Sequence, residues 1–210
     1  MSIIKLTNVS KEYKGKIVFH NFNLDVEKGD YVAVTGKSGA GKTTLLNIIG
    51  LLESPDSGTL TILDYNNPNL NKKDGRILVK EHIGYLFQNF ALIENYTAKK
   101  NIELVCKIKK IPFSDEKVQS ILVKLGISDL MDKKIFQLSG GEQQRIALAR
   151  LFIKEPTILL ADEPTASLDP DNAKIVLDSI KELNNNGTTV LLVTHNPDIV
   201  KHANKSIKIN

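Results

Sequence analysis

The stretch GKSGAGKT, Gly36 to Thr43, constrains this chain more than any other. It fits G-x-x-x-x-G-K-[ST] and lies between YVAVTG, a short β-branched run that ends in glycine, and KTTLLNIIGLL, an apolar run of helical composition. A strand that breaks into glycines and re-enters as a helix leaves the first helical amides unpaired at the positive end of the helix dipole. Gly36, Gly39 and Gly41, with Lys37, Ser38 and Ala40 between them, let the backbone curl so that its amides wrap a phosphate chain. Lys42 then reaches the β and γ oxygens, and Thr43 offers a hydroxyl to Mg2+. Alone, such a stretch would be an ordinary glycine turn. With a strand before it and a helix after it, the stretch predicts a bound nucleoside triphosphate.

TILLADE, Thr157 to Glu163, is an apolar strand that ends in two acids. Two acids after a strand can be a helix-capping turn. Beside a phosphate loop, an aspartate at the end of a buried neighbouring strand holds the magnesium shell, which points to Asp162. Glu163 follows where it could take a proton from a water attacking the γ-phosphate. Other candidates are weaker singly. Tyr13 reads as a packing residue or an adenine platform, Gln88 as a loop residue, and His195, after TVLLV, as a strand-end histidine. QLSGGEQQR, residues 137 to 145, places Ser139, Gly140 and Gly141 before a helix and predicts unpaired amides there, an anion-binding start with no lysine beside it.

The remaining pattern is α/β. IIKLTNV and IVFHNFNLDV alternate as antiparallel strands and are followed by a turn at Glu27–Asp30. Residues 89–136 read as a mostly helical insertion containing ELVCKIKK and SDEKVQSILVKLG, the latter capped by Ser114. Strand TILLAD, a helix from Pro170 through Leu183, strand TTVLLVTH and a short helix after Pro197 restore a strand–helix rhythm, which predicts a mostly parallel sheet covered on both faces. With 210 residues, 41% of them hydrophobic, one compact domain with room for a subdomain is expected. The single Cys106 excludes an intrachain disulfide framework and a cysteine zinc cluster, and points to a reducing cytosol. No run approaches the ~18 apolar residues of a membrane span, and the start lacks the pattern of a signal peptide, so a soluble chain is expected. Lys+Arg 28 against Asp+Glu 24 gives +4, with the basic residues scattered rather than gathered into a nucleic-acid groove.

In order and approximate spacing, Tyr13, GKSGAGKT, Gln88, LSGGE, TILLADE, SLD at 167 to 169 and His195 resemble the nucleotide-binding subunit of ATP-binding cassette (ABC) transporters over essentially the whole chain. DEPTASLD and FQNFALIENYT make it similar to the lipoprotein-release, macrolide-efflux and bacteriocin-export group, whose short ATPases serve FtsX-like permeases. The resemblance implies a P-loop NTPase fold of ABC ATPase type over residues 1–210. A RecA-like, mostly parallel core and an N-terminal antiparallel β part (1–88 and 137–210) would carry a helical subdomain (89–136). It implies ATP hydrolysis with Mg2+ and a homodimer formed on ATP binding, in which the signature helix of one subunit caps the γ-phosphate held by the other. By resemblance, Tyr13 would stack on adenine, and Gly36 through Lys42, Thr43 and Thr44 would hold the phosphates. Thr43, Gln88 and Asp162 would surround Mg2+, Glu163 would act as general base, and His195 would orient the γ-phosphate and water. Ser139, Gly140 and Gly141 would close the site in trans, and Asp169 would lie at the dimer seam.

The implied partner is an integral-membrane permease of FtsX-like type, with the chain cytoplasmic and peripheral on the inner face of the cell membrane, powering export. Its coupling helix would dock on the helical insertion, where Phe90, Leu92, Ile93 and Tyr96 are either exposed docking residues or subdomain core. An alternative is a mechanotransmission subunit that signals without moving a substrate. A soluble ABC ATPase acting on nucleic acid is disfavoured, because there is no second cassette, no long coiled coil and no concentrated basic patch.

Overall fold

In the computed structural model, residues 1–166 and 168–209 are described, and they divide into two compact units. The first unit comprises Met1–Tyr85, Thr157–Glu163 and Asn184–Asn210; the second comprises Leu86–Pro156 and Pro164–Leu183.

The first unit holds two sheets. β1 (Ser2–Tyr13) and β2 (Lys16–Glu27) pair antiparallel across the two-residue turn Lys14-Gly15. Both turn residues have positive φ (47° and 83°), the backbone hand that matches strand twist in tight hairpins. β4 (Ser57–Ile62) pairs with the other edge of β1, and β5 (Tyr65–Asn66) completes the order β2-β1-β4-β5. The second sheet runs β6-β7-β8-β3-β9, with β6 at Ile83–Leu86, β7 at Ile158–Asp162, β8 at Thr189–Val193, β3 at Tyr31–Gly36 and β9 at Lys205–Ile209. β7 with β8, β8 with β3 and β3 with β9 are all parallel. β7 and β8 read as continuous apolar runs because both faces of these strands are covered.

α1 (Lys42–Ile49) follows the phosphate loop and buries Leu45, Leu46, Ile48 and Ile49. These side chains join Val32, Val34, Leu160, Leu191 and Val193 from the parallel sheet and Ile4, Leu6 and Ile62 from the antiparallel one in a single apolar cluster. That cluster fixes the loop between β3 and α1 against both sheets. α2 (Lys73–Ile77) runs into a π-helical turn at Leu78–His82, and α7 (Pro197–His202) precedes β9. The alternating KSIKI strand at the C-terminus adds an edge to the sheet that the sequence reading did not anticipate.

The second unit is helical, with α3 (Ala98–Lys109), α4 (Glu116–Lys124), α5 (Gly140–Lys154) and most of α6 (Pro170–Asn185). Thr97 caps α3 through its hydroxyl, and the fully buried Asn101 donates to the carbonyls of Ile93 and Thr97 and accepts from the Ile93 amide. The segment before α3 is therefore pinned to the helix it introduces. The cap of α4 is Asp115, which accepts from the Lys117 amide at 2.9 Å; the Ser114 cap expected from sequence is one residue out. Both residue types cap well, and only the backbone geometry distinguishes them. α6 continues two residues past the expected Leu183.

Candidate functional site

The phosphate loop is shaped by contacts that only glycine permits. Gly41 caps α1 with φ 101°, and a Cβ there would lie 2.4 Å from Val18 Cγ1. Gly36 has φ 148°, and a Cβ would meet the Ile209 carbonyl oxygen at 2.2 Å, so β9 presses on the start of the loop. Lys42 is buried, and its ammonium donates to the carbonyls of Gly36 (3.0 Å) and Lys37 (2.9 Å), which aims it across the loop. Lys37, Ser38 and Gly39 are exposed, and Ala40 is partly buried.

Two acids end β7. The Thr43 hydroxyl donates to Asp162 Oδ2 at 2.8 Å. Burial pushes the Asp162 carboxyl above its ordinary value; the Thr43 bond opposes this, the neighbouring Glu163 charge adds to it, and Lys42 opposes it. Glu163 adopts φ 45°, a left-handed conformation rare for glutamate and one that recurs where function over-determines the backbone. Its amide donates to the Val193 carbonyl at 3.1 Å, and its Oε1 lies 3.2 Å from His195 Nε2. The two strand ends thus hold an acid and an imidazole together.

Tyr13, Lys16, Val18, Ser38, Gly39, Gly41, Lys42, Thr43, Thr44, Glu163 and His195 line one open cleft of about 300 Å³. The Tyr13 ring is 40% exposed, with Lys11 Nζ 5.2 Å from its centroid. Lys16 and Val18 are additions to the residues expected from sequence. They come from β2, where alternation marks a face but carries no hint that the strand flanks the loop.

The remaining candidates lie in the helical unit. Gln88 is exposed, just past β6. Ser139 caps α5: its hydroxyl accepts from the Glu142 amide (3.3 Å), while its own amide (2.7 Å) and hydroxyl (2.8 Å) both donate to Glu142 Oε2. This corrects one expectation, since the Ser139 amide is paired with Glu142 rather than free. S-x-x-E is a capping box, and the signal was present in SGGE. The bonds from the Ser139 amide and then its hydroxyl hold the Glu142 carboxyl below its usual range. Gly140 has open space where a Cβ would sit; at Gly141 a Cβ would fall 2.6 Å from the Asn172 side chain. Asp169 accepts from the Asn172 amide (3.0 Å) and side chain (2.6 Å), which makes it a cap for α6 and holds its carboxyl low. Ser167 of the SLD motif lies outside the described residues. Ile93 (44%) and Tyr96 (40%) are exposed, whereas Phe90 and Leu92 are partly buried; Phe136, at 58%, is a further exposed aromatic.

Comparison with known proteins places this geometry in context. The sequence profile of the ABC transporter family matches residues 19–166. The chain is 38% identical to the uncharacterized ABC transporter ATP-binding protein YknY of Bacillus subtilis (strain 168), over 99% of this chain and 93% of that protein. It is 37% identical to the bacitracin export ATP-binding protein BceA of Halalkalibacterium halodurans, over 100% of this chain and 85% of the relative. With the macrolide export ATP-binding/permease protein MacB of Campylobacter jejuni it shares 39% identity over 99% of this chain, which spans only 33% of that relative. Among solved structures, a dimeric post-hydrolysis state of the ATP-binding cassette MJ0796 bound to ADP and Pi superposes with a TM-score of 0.87 at 34% identity, covering 99% of this chain and 94% of that one.

Proposed function

Because the chain belongs to the ABC transporter ATP-binding family, in the group that includes macrolide and bacitracin exporters, we propose that its ATPase cycle powers export through a separate FtsX-like permease. The chain is an α/β ABC ATPase that binds and hydrolyses ATP. The observation that carries the assignment of roles is the cleft where the phosphate loop, the Thr43–Asp162 bond and the Glu163–His195 pair converge.

In this reading Tyr13 stacks on adenine. Gly36, Lys37, Ser38, Gly39, Ala40, Gly41, Lys42, Thr43 and Thr44 hold the phosphates, with Lys42 turning from the loop carbonyls toward the β and γ oxygens. The oxygen donors Thr43 and Asp162, already bonded to each other, fit a hard cation, and Gln88 would join them. Among the described residues no set of three or more His, Cys, Asp or Glu side chains forms a metal cluster, which suits an ion whose shell is completed by phosphate and water. When bound, Mg2+ would neutralise charge on the β- and γ-phosphates. Glu163 takes the proton of the attacking water as its oxygen bonds to the γ-phosphorus and the bond to the β-phosphate oxygen breaks. His195 orients the water and the γ-phosphate.

Ser139, Gly140 and Gly141 would complete the site of a second copy in a head-to-tail homodimer, with Asp169 at the seam. The dimeric structures of MJ0796 support the pairing of two copies. The chain would work as one ABC ATPase domain with a helical subdomain at 89–136, on the cytoplasmic face of the membrane. No helix among the described residues is long and apolar enough to cross a bilayer.

Phosphate release by the purified chain tests the site: it should require Mg2+ and collapse in Glu163→Gln. Co-expression with an FtsX-like permease tests the partner. The chain should fractionate with membranes only when that permease is present, and membrane-independent behaviour in both cases would sink the coupling.

A further inference from the structure

We infer that Glu53 is a positioning residue for the nucleotide site, fixing the Tyr13 ring in the plane where it meets the base. The inference rests on the adenine-platform reading of Tyr13 and extends it to a residue that no motif marks.

Tyr13 ends β1 at the mouth of the cleft, and its ring is substantially exposed. An exposed ring at a strand end samples several rotamers, and stacking on a base requires one of them. The structure supplies a tether. The Tyr13 hydroxyl donates to Glu53 Oε2. Glu53 is held in turn: its Oε1 accepts from Asn47 Nδ2 at 2.9 Å, and Asn47 Oδ1 accepts from the Tyr85 hydroxyl at 3.2 Å.

Each carboxylate oxygen of Glu53 therefore has its own donor, so the group cannot rotate without breaking a bond. Asn47 lies on α1, one turn beyond Thr43, and Tyr85 lies on β6 beside the Gly50 end of α1. The chain Tyr85–Asn47–Glu53–Tyr13 thus anchors the exposed ring to the same helix whose first turn carries Lys42 and Thr43. Base platform and phosphate cradle are registered through one rigid element, which is how positioning residues lower the ordering cost of binding. Glu53 itself does not line the cleft, so it acts through Tyr13.

The test compares ATP with tripolyphosphate, which fills the cradle but has no base, as competitors of a fluorescent ATP analogue. Glu53→Ala and Tyr13→Phe should each weaken ATP about three- to tenfold, the range for losing one tethering hydrogen bond. Tripolyphosphate affinity should be unchanged. The double variant should be no worse than either single one, because both cut the same tether. In the ATPase assay Glu53→Ala should act on KM rather than on kcat.

Tyr13→Ala separates the two levels of the argument. If it weakens ATP while Glu53→Ala and Tyr13→Phe do not, the platform stands and the positioning role falls. If Tyr13→Ala leaves ATP affinity intact, the platform reading fails and takes this inference with it. Equal loss of ATP and tripolyphosphate in Glu53→Ala, or additive losses in the double variant, would show that Glu53 merely supports the packing of α1.

Discussion

Thr43 and Asp162 are joined by a 2.8 Å hydrogen bond that links the first turn of α1 to the last residue of β7. Residues this far apart in sequence meet because β3 and β7 flank β8 in one parallel sheet and all three strands end on the same side. In open α/β sheets that side, beyond the carboxyl ends of the strands, is where ligands are held. The loop after β3 supplies the cradle, the end of β7 the two acids, and the loop after β8 the histidine.

In the proposed mechanism, Glu163→Gln removes the proton acceptor and leaves the loop of Gly36 to Thr43 intact. ATP affinity should stay within about twofold, while turnover should fall at least ~100-fold, the usual range for a general base. ATP should then accumulate in a dimer resolved by size-exclusion chromatography. Near-normal turnover would exclude Glu163 from this role and leave its left-handed backbone without a functional reason.

Lys42→Ala acts on binding itself. At ATP concentrations about 100-fold above Kd, mass action stabilises the native state by about 2.7 kcal/mol, or roughly 5–10 °C in a chain of this size. The variant should lose that shift in a thermal melt with Mg-ATP, read against its own melt without nucleotide. A full shift in the variant would mean that the amides alone hold the phosphates.

Asp162 carries a cost in the nucleotide-free protein. Burial raises its folded-state pKa above the ordinary 3.8, so the fold prefers the protonated form. For an acid shifted upward, native stability is unimpaired below the unfolded value, declines as pH rises through the window up to the folded value, and stays reduced above it. Asp162→Asn should therefore melt higher than wild type at pH 7, with the gap closing as pH falls toward 3.8. It should also lose Mg-dependent turnover. A variant less stable at pH 7 would show that the Thr43 bond outweighs burial.

The sequence exposes those parts of the site that depend on spacing alone. GKSGAGKT dictates a backbone shape, and TILLADE places two acids at a strand end, so both were readable without coordinates. What depends on register was not readable. Alternation in β2 marks its faces, but Val18 reaches Gly41 only because the hairpin docks on the loop. The Glu53 tether joins a turn to a strand end across forty residues, and no local pattern announces it. The Ser139–Glu142 capping box is the opposite case, a local signal inside a stretch whose glycines drew attention to free amides.

The last prediction asks whose phosphate that helix start serves. Ser139 already gives its amide and hydroxyl to Glu142, so an incoming γ-phosphate must displace a carboxylate from those donors. Such an exchange is favourable if the phosphate arrives with its own cations, because the one cation of this motif, Arg145, already donates to Asn172 Oδ1. Those cations are Lys42 and the metal shell of another copy in the head-to-tail reading. Ser139→Arg should therefore leave ATP binding intact, since GKSGAGKT is untouched, and should block dimer closure. In a mixture of Ser139→Arg and Lys42→Ala chains, both also carrying Glu163→Gln to hold the closed state, only the Ser139→Arg chain can cradle nucleotide. An ATP analogue with a photoreactive γ-phosphate, bound there, should label the Lys42→Ala chain near its intact Ser139. Labelling confined to the Ser139→Arg chain would mean that the helix serves its own nucleotide, and the head-to-tail dimer would have to be abandoned.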